Sequence, residues 1–516
     1  MHTEQYVPLN RGFDLHYGIL TGGGSHTMHI SVSGKVIARG QSDSHTFSGA
    51  NLWDNGKFSV DNQAKVHTTE LYTKRAVDMV EHLETSGSNP WFVFLSFQAI
   101  HDPIEVGNEA FITATKCNAI DEATQANRRI MCGMMAEVDD GLRQVREKLV
   151  SLGAWEKTLV VYASDNGGLT THGSSNAPFA GEKGMYSEGG VHVPAFFAGG
   201  FLTKILASAS VDAFSLKARV HITDLHTTIL GLAGYAAAKE AAAADTKLDG
   251  LDLWAQLVPV SAAAAKSSAR TELLINANSE VFGSSGALIV GDYKLMVNAD
   301  PQESTIYMRV KAYIQASATE PSPDAVAKAA VNEAKKAVDG KLFLFNLAKN
   351  PYELDLGEGC ETGAAYGGDV EACANLAGLA AFASVEADLK ARLDSYRTAA
   401  VPSSFAWEDD GALASPQLFG NLWSPWRDVE GAPKLVFTGL HKGEGSSAFV
   451  TGATTTTATS LAASLAAAAT ASPAEVLAAL AGAAGAVALM VGAAFRAGAN
   501  SAKRGGEQAY SPVPQY

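Results

Sequence analysis

Short apolar runs alternate with helical patterns along the first half of the chain. Residues 91–97 and 159–163 are continuous apolar runs rich in aromatic and branched side chains, which is typical of buried strands in parallel sheets. Residues 69–83 and 126–149 repeat their apolar positions at helical spacing. Strands that alternate with helices predict an α/β fold with a doubly wound sheet.

Each predicted strand runs directly into polar residues. The first is followed by His101, the second by Asp165 and Asn166, and Lys183 lies in the loop before a third apolar run at 193–197. Active sites of open α/β sheets lie at the carboxyl ends of strands, so we expect these side chains to converge. Asp165 and Asn166 offer hard oxygen ligands of the kind that Ca²⁺ or Mg²⁺ prefers, although Asp-Asn-Gly-Gly is also typical of an ordinary turn.

The pattern changes after residue 272. Residues 1–272 form the predicted α/β domain, and residues 273–430 are predicted to form a smaller α+β subdomain with strands at 287–290 and 294–297 and a surface helix at 385–396. The acids Glu137, Asp139 and Asp140 of the long helix in the first domain are interpreted as a solvated face rather than a metal cluster.

The carboxyl-terminal part differs in composition from both domains. Residues 431–475 include a Thr/Ala/Ser-rich stretch typical of a stalk, and residues 476–495 contain no charge over a length that can cross a bilayer as a helix. Basic residues follow in segment 496–516, which the positive-inside rule assigns to the cytosol. The sequence therefore predicts a single-pass membrane protein with its main domain lumenal or extracellular. The alternative is an Ala-rich soluble or disordered tail.

Charge and cysteine usage narrow the functional classes. The net charge of −15 over 516 residues leaves no basic stripe for nucleic acid. The 47% of hydrophobic residues can fill a sizeable core. Of the four cysteines, Cys117 and Cys132 are close enough in sequence for one local disulfide, and Cys360 and Cys373 for another. Four free buried thiols are the alternative.

Several short segments occur in the order that one enzyme family shows. The matching segments are residues 8–14, 100–103, 164–168, 181–183, 222–225, 248–254, 291–295, 344–347 and 423–426. Through them the chain resembles the sulfatases, most closely the arylsulfatase B-like branch of the alkaline phosphatase superfamily. The resemblance implies an alkaline phosphatase-like sheet and a sulfuric ester hydrolase that acts on sulfate esters of sugars or aryl alcohols.

The resemblance also implies roles for the polar residues at the strand ends. Asp165 and Asn166 would be two ligands of a calcium ion, Lys183 would bind the sulfate, and His101 would contact it and help to protonate the leaving oxygen. A cation, an ammonium and an imidazole are suited to a reaction in which charge develops on sulfate oxygens and on the departing oxygen.

The chain also departs from the family pattern. None of its cysteines lies in the Cys-x-Pro-Ser-Arg motif that supplies the family's nucleophile, and the paired aspartates that complete the calcium site are missing. Ala180 and His192 stand where the family often has arginines. With no signal peptide at Met1, these departures lead to the expectation of an amino-terminally incomplete sulfatase that binds calcium weakly and has no turnover. The alternatives are a catalytically dead, membrane-tethered binding module and a related phosphodiesterase or phosphonate hydrolase.

Overall fold

The computed structural model describes most of the first 233 residues and separate segments after them. The described residues are 6–37, 44–86, 90–208, 210, 215, 218–233, 249–257, 270–277, 285–299, 340–356, 369–400, 416–424 and 487–492. The predicted stalk at 431–475 and the predicted tail at 496–516 lie outside these residues, as does Cys360.

Eight α-helices occur among the described residues. They are α1 (Thr68–Thr85), α2 (Ala110–Thr113), α3 (Glu122–Ser151), α4 (Glu188–Val191), α5 (Gly200–Ser208), α6 (Ile222–Leu232), α7 (Trp254–Leu257) and α8 (Ala383–Ala399). Side chains cap the two long helices of the first domain: His67 accepts a hydrogen bond from the Thr69 amide and begins α1, and Asp121 accepts from the Ala123 amide and begins α3. The two predicted helices of the first domain are therefore confirmed: α1 begins one residue before its predicted start, and α3 begins four residues before it.

Thirteen strands are described, in four sheets. They are β1 (Tyr17–Ile19), β2 (Ile30–Ile37), β3 (Ser44–Ala50), β4 (Leu52–Asp54), β5 (Lys57–Phe58), β6 (Trp91–Ser96), β7 (Thr158–Ala163), β8 (Ala195–Ala198), β9 (Glu272–Ala277), β10 (Gly286–Val290), β11 (Tyr293–Val297), β12 (Leu342–Asn346) and β13 (Val487–Gly492). The main sheet has the order β6-β13-β7-β8, and β9 to β12 form a second four-stranded sheet. The predicted boundary at 272/273 coincides with the start of β9, and the division into domains stays a prediction.

The main sheet corrects the expected strand directions. β13 is antiparallel to both β6 and β7, and β8 is antiparallel to β7, so every described pairing in this sheet is antiparallel. β6 and β7 nevertheless run in the same direction, because each is antiparallel to the strand between them. Their carboxyl ends therefore lie at the same edge, as the predicted site requires.

The position of β13 also corrects part of the predicted membrane helix. Its six residues pair with Trp91–Ser96 on one side and with Thr158–Ala163 on the other, along the full length of β6 and β7. A strand satisfies its backbone groups through its neighbours, whereas a bilayer helix must satisfy them within itself. The rest of segment 476–495 lies outside the described residues. No helix in the described part of the chain is long and apolar enough to cross a membrane.

The core of the first domain lies between one face of the main sheet and helices α1 and α3. Alternate residues of β6 point into this core with Val80, Met134 and Leu149 from the helices. The other face of β6 is different: Phe92 and Phe94 are 40% and 46% exposed. The expectation of a strand buried on both faces is therefore wrong for β6, which alternates as a half-covered strand does.

The second sheet is covered on both faces. Leu295 and Leu344 face α8 through Leu389, and Met296 and Phe345 face Tyr186, which belongs to the first domain. Tyr186 follows Lys183 by three residues, so the segment that carries Lys183 is packed against the second sheet.

Candidate active site

His101 lies half-buried in the turn after β6, and one of its ring nitrogens makes a hydrogen bond within the protein. Its Nδ1 lies 2.6 Å from the carbonyl oxygen of Asp102, which can only accept, so Nδ1 donates and the neutral ring leaves Nε2 as an acceptor. Burial and the nearby Lys183 lower the pKa of His101. In the free protein this imidazole is therefore a neutral group with a fixed tautomer.

A second histidine holds the His101 backbone in place. Fully buried His26 donates from Nε2 to the His101 carbonyl at 2.9 Å and accepts at Nδ1 from the Thr68 hydroxyl at 3.0 Å. Burial lowers the pKa of His26 to about 3, so its ring stays neutral. The segment around it is fixed by Glu105, whose carboxylate accepts from the Thr27 amide at 3.1 Å.

Asp165 and Asn166 follow β7 directly, as predicted. The turn is closed by short-range bonds: the Ser164 hydroxyl donates to the Asn166 carbonyl at 3.0 Å, and Asn166 Nδ2 donates to the Gly167 carbonyl at 2.8 Å. The Asp165 side chain retains solvent access, yet desolvation by the surrounding protein raises its pKa, with Lys183 acting in the opposite direction.

Lys183 completes the set from the loop between β7 and α4. Burial lowers its pKa, while Asp165 and Asp102 partly restore it. Lys183 thus lies within electrostatic range of both strand ends, and it is in turn one cause of the lowered pKa of His101. The fold brings the residues predicted from three separate segments to one edge of the main sheet.

The part of the chain that carries these residues is similar to proteins of known family. A family model described as Sulfatase matches residues 16–235, which contain both strand ends and the Lys183 loop. Residues 16–235 therefore match a sulfatase domain. Arylsulfatase J from Mus musculus is 26% identical over 444 residues, covering 84% of this chain and 64% of that protein. N-acetylgalactosamine-6-sulfatase from Homo sapiens is 26% identical over 194 residues, covering 37% of this chain and 32% of that protein. The chain thus spans less than two thirds of the length of these relatives.

Solved structures are similar over about three quarters of the chain. A crystal structure of Ps i-CgsB in complex with k-i-k-neocarrahexaose superimposes with a TM-score of 0.48 and 19% identity, covering 76% of this chain and 75% of that chain. The crystal structure of PsFucS1 sulfatase from Pseudoalteromonas sp. superimposes with a TM-score of 0.47 and 18% identity, covering 76% of this chain and 68% of that chain.

Sulfatases are generally metal-dependent, and Asp165 and Asn166 are the residues predicted to hold a cation. Together they have two side chains with oxygen atoms at one strand end, whereas calcium commonly takes about six to eight oxygen ligands. No group of three or more His, Cys, Asp or Glu side chains is placed to hold a metal within the described ranges. The two residues suit a hard cation by type, but they fall short of a full ligand set by number.

A polar groove adjoins the site. Its volume is about 490 Å³, and its walls are residues 123–128 at the start of α3 and the loop at 170–174. The loop also carries His172, whose Nε2 lies 3.7 Å from Asp102 Oδ1, beside His101. Glu182, next to Lys183, accepts from the Thr170 amide at 2.7 Å and ties the same loop to the lysine segment. The groove therefore lies next to the predicted catalytic residues His101 and Lys183.

One prediction about acidic residues is wrong. Glu137 is buried, with Oε1 3.1 Å from His67 Nδ1 and Oε2 accepting from the Gly107 amide at 3.1 Å. It is not part of a solvated face, because the turn of helix α3 that carries it is covered by the loop after β6. Asp140 behaves as predicted and pairs with Arg143 on the exposed side.

Sequence reasoning assigned no role to His26 and left the bonded state of the cysteines open. The sequence near His26 contains one other histidine, His29, and nothing in it indicates that His67 lies nearby in the fold. Cys117 and Cys132 form a disulfide, and Cys373 is disulfide-bonded as well, so of the two alternatives the structure has the bonded one for these three cysteines.

Proposed function

We propose that the sulfatase domain recognises sulfate esters of sugars or aryl alcohols and belongs to an enzyme of the sulfuric ester hydrolase class. The observation that supports this most is the convergence of Lys183, His101 and Asp165 at one sheet edge, where Lys183 helps to lower the pKa of His101 and acts against the raised pKa of Asp165. An ammonium whose pKa is lowered by burial binds an anion strongly, because water competes poorly for it there.

The proposed roles follow from the geometry of each side chain. Lys183 binds sulfate oxygens. His101 presents Nε2, since Nδ1 is held by the Asp102 carbonyl. In the free protein Nε2 accepts; the negative charge of a bound ester raises the pKa of the imidazole, and Nε2 then carries the proton that the leaving oxygen needs. Binding of the ester is therefore expected to be coupled to proton uptake by His101.

We further propose that Asp165 and Asn166 hold part of a calcium site. When bound, such a cation would neutralise charge on the sulfate oxygens. The organic part of the ester would lie in the groove between residues 123–128 and 170–174, where the amides of Gln125 and Asn127 and the hydroxyls of Thr171 and Ser174 match sugar hydroxyls.

We also propose that this chain by itself binds sulfate esters without turning them over. Cys117, Cys132 and Cys373 have their sulfurs in disulfides, so none of these three offers a thiol for conversion to a nucleophile. The charged residues at the sheet edge would then bind the anion without a cysteine-derived nucleophile beside it.

Calorimetry with 4-nitrophenyl sulfate tests recognition. Wild type should bind, and Lys183→Ala should weaken binding by about tenfold or more, the cost of one charge-assisted contact. Lys204→Ala, which removes an exposed lysine that pairs with Glu156 at the surface, is the control and should bind like wild type. Equal binding by wild type and Lys183→Ala contradicts the proposal.

Two further assays separate the alternatives. Release of 4-nitrophenol from the sulfate ester by the purified chain, lost in Lys183→Ala, contradicts the proposed lack of turnover. Preference for 4-nitrophenyl phosphate over the sulfate, in binding or in hydrolysis, favours the phosphodiesterase-like alternative.

A further inference from the structure

Four ionisable side chains meet where the two sheets join, away from the predicted catalytic residues. Lys294 of β11 lies 2.8 Å from Glu188 of α4 and 2.7 Å from Glu353, measured from Nζ to the carboxylate oxygens. Glu353 also accepts from the Glu188 amide at 2.6 Å. His192, after α4, contacts the second oxygen of Glu188 at 2.9 Å. We refer to Glu188, His192, Lys294 and Glu353 as the joint cluster.

The joint cluster combines deep burial with charge. Lys294 is fully buried, and although burial opposes the change, the two carboxylates raise its pKa. At Glu188 burial acts to raise the pKa, but Lys294 and His192 outweigh it and lower the pKa to about 2. At Glu353 burial is the larger effect and raises the pKa. Removal of one partner from a buried ion pair leaves an uncompensated charge, which costs far more than the pair contributes. Glu188 is therefore held firmly by residues of the second sheet.

Helix α4, which begins at Glu188, touches both segments of the candidate site. The Gly190 carbonyl accepts from the Gly167 amide at 2.9 Å, one residue beyond Asn166. The Gly189 amide donates to the Ala180 carbonyl at 2.7 Å, in the loop that carries Lys183. These backbones are in close contact: a Cβ on Gly167 would lie 1.8 Å from the Gly189 oxygen. A displacement of α4 therefore displaces the Asn166 turn and the Lys183 loop together.

We infer that Lys294 and Glu353 are positioning residues for sulfate binding, acting through Glu188 and α4 on Lys183. The inference rests on the proposed role of Lys183. The second sheet would thereby support sulfate binding by the first domain. Among the described residues, the charged groups of that sheet near buried Glu188 are Lys294 of β11 and Glu353 in the turn after β12.

The first test measures Lys183 itself, without any ligand. Acylation of lysines at increasing pH, followed by peptide mass mapping, reports the pKa of Lys183, with exposed Lys204 as an internal reference. In wild type Lys183 should become reactive at a lower pH than Lys204, because burial lowers its pKa. In Lys294→Met the loop relaxes, and the Lys183 profile should move toward that of Lys204. An unchanged profile in folded Lys294→Met overturns the inference.

The second test measures affinity for 4-nitrophenyl sulfate. Lys294→Met should weaken binding about tenfold. Leu295→Ala is the matched control: it removes a fully buried side chain from the next position of the same strand, where it packs with Leu344 and Leu389 on the side of α8. It should lower the thermal stability and leave affinity unchanged. Equal losses of affinity in the two variants would show a purely structural role.

Glu353 provides a pair of variants that keeps the inference testable if Lys294→Met does not fold. Both Glu353→Gln and Glu353→Ala leave Lys294 paired with Glu188. The glutamine retains an oxygen that can accept from the Glu188 amide, so it should preserve affinity and the Lys183 profile, whereas the alanine should shift both in the direction of Lys294→Met. Identical behaviour of the two variants contradicts the inference. Absence of sulfate binding by wild type contradicts the proposed function alone, since the acylation test still reports on positioning.

Discussion

The two sides of the candidate site are held in place by opposite kinds of interaction. On the His101 side the support is neutral: a buried imidazole, a hydroxyl and a carbonyl exchange hydrogen bonds, and His26 has no charge to lose at ordinary pH. On the Lys183 side the support is ionic, through Glu188 and Lys294. A neutral network gives fixed geometry, whereas an ionic one also makes position depend on protonation. One site thus rests on two supports that respond differently to the same change in conditions.

We expect the largest loss of stability from a substitution in β13, the strand that lies between the His101 side and the Asp165 side. Leu489 is opposite Phe94 of β6 and Val161 of β7, so its backbone joins the His101 side to the Asp165 side. Leu489→Pro removes a backbone donor from the centre of the sheet and should cost about 3 kcal/mol or more of unfolding free energy. Urea unfolding measures this, with Leu489→Thr as a control that keeps the amide. Unfolding by Leu489→Pro at the wild-type urea midpoint would show that β13 does not contribute to the folded sheet.

Removal of the neutral support on the His101 side should cause a smaller loss of stability. His26→Phe keeps an aromatic ring and leaves the His101 carbonyl and the Thr68 hydroxyl without their partner, a cost of about 1–3 kcal/mol. Stability to urea and binding of 4-nitrophenyl sulfate should both be weakened. His82→Phe, at an exposed position in the last turn of α1, is the control. Normal binding by a destabilised His26→Phe would separate this histidine from the site.

The pH dependence of stability should have opposite signs on the two sides. The folded pKa of His26 is far below 6.5, so its unfolded form takes up a proton first, and stability is lost as the pH falls below 6.5. The pKa of His192 is raised by Glu188, so its contribution is present below 6.5 and is lost as the pH rises through the higher folded value.

Comparison of wild type with His192→Gln isolates the second effect. The stability difference between them should shrink from about pH 6 to about pH 8, as the imidazole next to Glu188 loses its charge. Urea unfolding at each pH measures the difference. The groups that face His192 are Glu188, Lys294, Glu353 and Phe179. A difference that grows over this range would contradict the assigned interaction.

Calcium should have the smallest effect. With two ligand side chains we expect a dissociation constant no tighter than about 1 mM, so about 1 mM calcium adds about 0.4 kcal/mol and raises the melting temperature by about 1 °C. Asp165→Asn should abolish this shift, and Asp78→Asn, at an exposed position of α1, should retain it. A rise of many degrees would reveal ligands beyond Asp165 and Asn166.

Local patterns predicted the parts of the site that follow strands. His101 and Asp165 each follow an apolar run, and the edge of the sheet brings them together because β6 and β7 run in the same direction. Lys183 lies in the loop that follows β7. The supports could not be predicted in this way. Lys294 and Glu188 are 106 residues apart, and His26 and His101 are 75 residues apart, so their pairing depends on packing that no local period encodes.

The errors have the same origin. Glu137 is charged as a surface residue is, yet it lies among the buried positions of α3 and the loop after β6 covers it. The apolar segment around Leu489 has helical length, yet part of it is a strand in the main sheet. In both cases tertiary contacts decide an outcome that composition leaves open.

The contact between Gly167 and Gly189 has a consequence for how related sequences are interpreted. The two backbones lie so close that a Cβ on Gly167 would be 1.8 Å from the Gly189 oxygen, and one on Gly189 would be 2.3 Å from the Gly181 oxygen. Selection for folding alone is therefore enough to retain glycine at both positions. A descendant that had lost all turnover would keep this pair as faithfully as a working enzyme, so its presence in a genome records ancestry and shape rather than activity.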